Sequence, residues 1–173
     1  MKFIRAIAVM SFLWCFFCIA PAQAQFQTIF IGVNGLTCSQ CSRTVEMSIR
    51  KLDFVADVQM NLEHTEGKIF LKTGKKTDMA KIAQAVFDAG FSVRYLQADL
   101  VLNSAISTAD QCFNYQGDEY VFVQAHKQPL NGTVHLKFIG KKFLPKNEFR
   151  KMEPLMVNKC STTTTGKTYF VAI

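Results

Sequence analysis

The chain has 173 residues, 49% of them hydrophobic and 19% charged, a composition that excludes disorder as the default and leaves length for one medium or two small domains. Its formal charge of +7 is spread along the chain, densest at Lys75-Lys76 and Lys141-Lys142, with no arginine-rich run. Such spacing argues for solvated surface and against nucleic-acid binding.

The first 24 residues differ from the rest. Lys2 and Arg5 precede an apolar run from Ala6 to Ala20, and Ala22-Gln23-Ala24 follows. A basic start, a short apolar middle and a small-x-small site make a secretory signal peptide, with cleavage expected after Ala24. The run is shorter than the roughly 20 apolar residues of a spanning helix, so no stable membrane insertion is expected once it is removed. Bulky Phe16 and Phe17 before Cys18 argue against lipid attachment there. The expected location is periplasmic or secreted. Cleavage leaves 18 basic against 13 acidic residues and four cysteines: Cys38, Cys41, Cys112 and Cys160.

The segment from Phe26 to Val33 is rich in β-branched and aromatic residues and ends at Asn34-Gly35, the pattern of a strand entering a turn. After Cys38-Ser-Gln-Cys41, the positions Val45, Ile49 and Leu52 predict an amphipathic helix over 42–52. Val58, Met60 and Leu62, then Ile69 and Leu71, alternate with polar residues and predict a hairpin turning at 63–67. Thr77 or Asp78 can cap a second helix carrying Met79, Ile82, Ala83, Val86 and Phe87 on one stripe and stopping at Gly90. A last strand runs from Phe91 to about Leu96. The order βαββαβ predicts an α+β, ferredoxin-like unit over residues 25–97.

Periodicity lapses next, and residues 98–111 read as a linker. A smaller, mostly-β domain is expected over 112–173. Its strands fall at 120–124, 133–139 and 168–173, with one short helix between Pro145 and Pro154, and the Thr162–Thr165 tract reads as loop or strand edge.

Two cysteines three apart, where a strand turns into a helix, can aim both sulfurs at one point. The helix N-terminus favours the thiolate, the metal-binding form. Soft sulfur selects Cu(I), Zn(II) or heavier thiophilic ions over Mg(II) and Ca(II). Structural zinc wants about four ligands, and no further pair accompanies this one. Two-coordinate Cu(I) or Hg(II) suits a lone exposed pair, so Cys38 and Cys41 are the expected ligands of one soft cation, with Zn(II) also possible.

Gly35, Thr37, Cys38, Cys41, Val45 and the late Ala89-Gly90-Phe91 turn match a known pattern. Over residues 26–96 the chain resembles the heavy-metal-associated (HMA) domain of copper chaperones, metal-transporting ATPases and periplasmic mercury-binding proteins. Leu36 stands where that family has methionine, a swap of similar volume. The resemblance implies a non-enzymatic carrier that binds a metal for sequestration or transfer, with a metal-transporting ATPase or another carrier as partner. Thr37 in place of the acid common in zinc-type members tilts the implied metal toward copper or mercury, and the resemblance implies Cu(I) first, with Hg(II) and Zn(II) as alternatives.

His64 is expected to be a solvated turn residue about 10 Å from the cysteine loop, two strand spacings away. Met47, Met60 and Met79 read as packing or surface residues, and His126 and His135 have no motif around them. Cys112 and Cys160 are expected to form a disulfide, which would stabilise the second unit by roughly 4 kcal/mol. No hydrolase constellation can be picked out. A thiol–disulfide oxidoreductase is the rival class for Cys38 and Cys41. Against it stand Thr37 and Ser39-Gln40 at the pair and the wrong strand order for a thioredoxin fold. A third reading makes the first unit a sensor and the second a docking module. Oligomeric state is open.

Overall fold

The computed structural model describes residues 25–106, 112–124, 129–157, 160 and 165–173. The leading segment read as a signal peptide, His126 and the Thr162–Thr164 stretch lie outside the described residues. In chain order the elements are β1 (Gln25–Asn34), α1 (Ser39–Arg50), β2 (Val55–Asn61), β3 (Glu66–Leu71), α2 (Met79–Asp88), β4 (Ser92–Ile106), β5 (Cys112–Tyr115), β6 (Asp118–Phe122), β7 (Leu130–Ile139), α3 (Lys146–Met152), a single 3-10 turn (Glu153–Leu155) and β8 (Thr168–Ala172).

The first six make the expected βαββαβ unit. Ile29, Ile31 and Val33 project from one face of β1 and are buried, meeting Val45 and Ile49 of α1 and Met79, Ile82, Ala83 and Val86 of α2. Asp78 caps α2 by accepting from the Ala80 and Lys81 N–H groups. The helix ends in a Schellman motif: Phe91 N–H bonds to the Val86 carbonyl and Gly90 N–H to the Phe87 carbonyl, with Gly90 at φ 86°. Two expectations at the edges differ. Phe87 is 38% exposed, because the core stripe of α2 is already filled by its smaller neighbours. Leu62 lies past the end of β2 and is exposed in the turn.

The larger difference is β4. Residues 98–106, expected to open a linker, continue the strand, with Ala98, Leu100 and Leu102 buried on one face. Within β4, Gly32 pairs with Tyr95 but Val33 with Val93, so Arg94 is the extra residue of a bulge that keeps both Val93 and Leu96 inward. Beyond Leu96 the strand pairs with β7, and one eight-stranded sheet results, in the order β2-β3-β1-β4-β7-β8-β6-β5. The strand-rich region after the first unit therefore shares its sheet. It also shares its core: the Phe26 ring sits 5.0 Å from Tyr115 in an edge-on pose, 5.8 Å from Tyr120 and 6.4 Å from Phe138.

The β5–β6 hairpin turns at Gln116 and Gly117, both at positive φ (52° and 81°), the geometry of a type I′ turn. Gln116 Oε1 accepts from Thr77 N–H at 3.0 Å, and buried Asp118 takes Lys76 Nζ at 2.7 Å and the Lys167 N–H at 3.0 Å. Asp78 in turn holds Lys167 Nζ at 2.5 Å and the Tyr169 hydroxyl at 3.1 Å. The second region thus grips the start of α2.

Burial alone would raise the Asp78 pKa, but the hydrogen bond and charge of Lys167, with help from Lys81 N–H and Tyr169, hold it below the usual value. A carboxyl depressed on folding contributes stability above its unfolded pKa, and the contribution fades as pH falls through the folded value. Asp78→Ala should therefore lower the unfolding free energy at neutral pH by about 1–2 kcal/mol. Urea titrations of parent and variant should converge as the pH drops below about 4.

Candidate metal centre

β1 delivers the chain to one end of the sheet, where Gly35 at φ 85° reverses it and Thr37 N–H bonds to the Gly35 carbonyl at 3.0 Å. Leu36 is buried in the core and anchors the loop from below. The family's methionine position is thus filled by a side chain that packs. A Cβ built on Gly35 would meet Phe91 at 3.7 Å, so the Gly90 turn forms the neighbouring wall.

Cys38 is the N-cap of α1, in extended conformation, and its Sγ accepts the Cys41 N–H at 3.1 Å. Ser42 N–H bonds to the Cys38 carbonyl, starting the helix at the residue the loop presents. The first turn of α1 holds no acid of its own to offset the positive end of its dipole beside the sulfurs. Cys38 is exposed, while Cys41 is half-buried and packs against the core. The two sulfurs are joined in a disulfide with Cα atoms 5.2 Å apart. That bridge is the oxidised form of a dithiol, and only its reduction would free thiolates for a metal.

His64 lies at the same end of the sheet. The turn that carries it is tied to the loop's own strand, with Val33 N–H on the Thr65 carbonyl at 2.9 Å and Arg94 Nη2 on the His64 carbonyl at 2.8 Å. Among the described residues, no group of three or more His, Cys, Asp or Glu side chains is placed to hold a metal ion. His135 is on β7 and exposed, its Nδ1 2.6 Å from Asp99 Oδ1. Met79 is buried, Met60 partly so, and Met47 exposed. Cys112 and Cys160 are bridged, as expected, with Cα atoms 6.1 Å apart. Spacing rules on the sequence missed the bulge residue Arg94, whose hold on the His64 turn depends on strand pairing between distant residues.

The model of the family described as "Heavy-metal-associated domain" matches residues 30–92. The mercuric transport protein periplasmic component of Pseudomonas fluorescens is 37% identical over 73 residues, covering 42% of this chain and 79% of that protein. Its counterpart from Serratia marcescens is 36% identical over the same shares. Copper-transporting ATPase 1 of Rhizobium meliloti (strain 1021) is 39% identical over 67 residues, 39% of this chain and 8% of that protein. The crystal structure of oxidised MerP from Ralstonia metallidurans CH34 shares 34% identity, covering 40% of this chain and 97% of its own, with a TM-score of 0.36.

Proposed function

We propose a metal-carrier function from one premise: the chain belongs to the heavy-metal-associated domain family. The reduced protein binds one soft cation between the thiolates of Cys38 and Cys41 and passes it to a metal-transporting ATPase or another carrier. The observation that carries this reading is an exposed cysteine at the N-terminus of α1, whose first turn holds no acid, three residues from its partner, with no cluster of three donors among the described residues.

Two-coordinate binding selects against zinc, which wants about four ligands. Thr37 beside the pair and the soft donor set point to Cu(I) or Hg(II), and Cu(I) is the cargo we assign first, with the copper-transporting relative in Rhizobium meliloti in its favour. Hg(II) is the second reading, and the names of the relatives in Pseudomonas fluorescens and Serratia marcescens favour it.

The steps balance simply. A dithiol reductant gives two electrons to the Cys38–Cys41 bridge, becomes a disulfide itself and leaves two protein thiols. Metal entry then displaces their protons, and transfer proceeds by attack of a partner's thiolate on the open coordination side of the ion. After that reduction the two sulfurs keep the thiolate oxidation level through loading and transfer, whereas an oxidoreductase cycles them between dithiol and disulfide. Anaerobic competition titration of the reduced protein with Cu(I), Hg(II) and Zn(II), read by native mass spectrometry, tests the assignment. A single tight Zn(II) in preference to both soft ions would overturn it.

Export fits this chemistry, and no described helix is long and apolar enough to cross a membrane. The exported protein should begin at Gln25. N-terminal sequencing checks this, and a product that still contains Trp14 would mean a retained leader.

A further inference from the structure

Residues 141–157 combine charge and exposed apolar surface in a way the metal centre does not use. Lys141 and Lys142 are exposed in the turn after β7. On α3, Lys146, Arg150 and Lys151 face solvent, while Phe149 and Met152 are half-buried on the other side. Five cations thus stand against two carboxylates in this stretch, and one of those, Glu148, is already held by Lys137 at 3.7 Å. Directly after α3, Leu155 and Val157 are 44% and 54% exposed.

Register fixes where this surface begins. β1 and β7 both run antiparallel to β4, and Lys137 is level with Gln97, which is level with Phe30. The end of β7, and the turn that follows, are therefore at the end of the sheet that carries the cysteine loop. Lys142 Nζ reaches the Gln84 side chain of α2 at 3.2 Å on that side. From β1 to β7 is two strand spacings, about 10 Å.

We infer that residues 141–157 form a docking surface for an anionic lipid bilayer: the cations seat on headgroups and Leu155 and Val157 enter the interface. Charge complementarity chooses the occupant. Cations alone would serve any polyanion, but exposed aliphatic side chains beside them gain only from an apolar layer under the charge, which a bilayer supplies and a nucleic acid does not. The consequence bears on transfer. A carrier seated this way holds Cys38 and Cys41 near the membrane surface, where a membrane-bound acceptor would be met by diffusion in two dimensions.

The test is flotation of the metal-free full chain with vesicles of equimolar phosphatidylglycerol and phosphatidylcholine, against pure phosphatidylcholine. Because no metal is present, failure here leaves the carrier reading untouched. The parent should float with the anionic vesicles only, and less at high salt. The triple change Lys146→Glu, Arg150→Glu and Lys151→Glu should weaken partition on the order of 100-fold. An equal charge change elsewhere, Lys51→Glu with Lys75→Glu and Lys81→Glu, should weaken it much less. Leu155→Ser with Val157→Ser should remove the salt-resistant part of binding. Since every substituted side chain is exposed, and neither α3 nor the 3-10 turn buries a residue, these variants should keep the parent's circular dichroism. Equal flotation of the two triple variants, equal binding to pure phosphatidylcholine, or tighter retention by duplex DNA than by the vesicles would each overturn the inference.

Discussion

Replacing both Cys38 and Cys41 with serine should abolish tight 1:1 binding of Cu(I) and leave the fold intact. Serine keeps the volume and the polar character, and its hydroxyl can still cap α1 by accepting the Cys41-position N–H that Cys38 Sγ now accepts. What it lacks is a soft donor: the hydroxyl has almost no anionic fraction at neutral pH, and Cu(I) loses both ligands at once. The fall in affinity should be several orders of magnitude in a competition titration. Folding should survive because Ile29, Ile31, Val45, Ile49, Ile69, Ile82 and Val86 close an apolar core with no help from the sulfurs. Zinc-finger-like domains behave oppositely, since there the metal supplies the folding energy. A double-serine protein that still bound Cu(I) like the parent would move the metal elsewhere.

Phe26→Ala should be the most damaging single change in the apolar core, lowering the unfolding free energy by about 3–5 kcal/mol. Phe26 is fully buried at the start of β1 and touches rings from β5, β6 and β7. It belongs to the first unit by chain position and to the second by contact. The variant should therefore destabilise both regions together, in one urea transition seen by near- and far-ultraviolet dichroism alike. Affinity for the metal, measured where the variant is folded, should change little, because β1 puts Phe26 about 30 Å from Gly35. A loss below about 1 kcal/mol, or two separate transitions, would show that the aromatic seam does not join the regions.

The first unit was legible because its signals are local. Val45 and Ile49 mark a helix face, Asp78 reads as a cap, and Gly90 needs the left-handed conformation that ends α2. The cysteine pair was legible for the same reason, since a turn and one helix start are enough to juxtapose its sulfurs. Residues 98–106 failed as a linker because Asn103 and Ser104 masked an alternation that Ala98, Leu100 and Leu102 had begun. What holds that strand straight is β7, some 35 residues on, and pairing at that distance leaves no mark in local composition. The β5–β6 hairpin escaped notice because Gln116 supplies a positive φ where Asn or Gly is the usual sign. The grip of Asp118 and Lys167 on the start of α2 is likewise tertiary, joining charges that sequence shows only as scattered.

One soft cation should sit between two sulfurs and touch nothing else of the protein. X-ray absorption at the copper edge, on the reduced protein loaded with Cu(I) without added thiol, addresses that coordination directly. The ion should have two sulfur neighbours, unchanged by His64→Ala. A shell containing nitrogen that His64→Ala removes, or one of three or four protein donors, would contradict it.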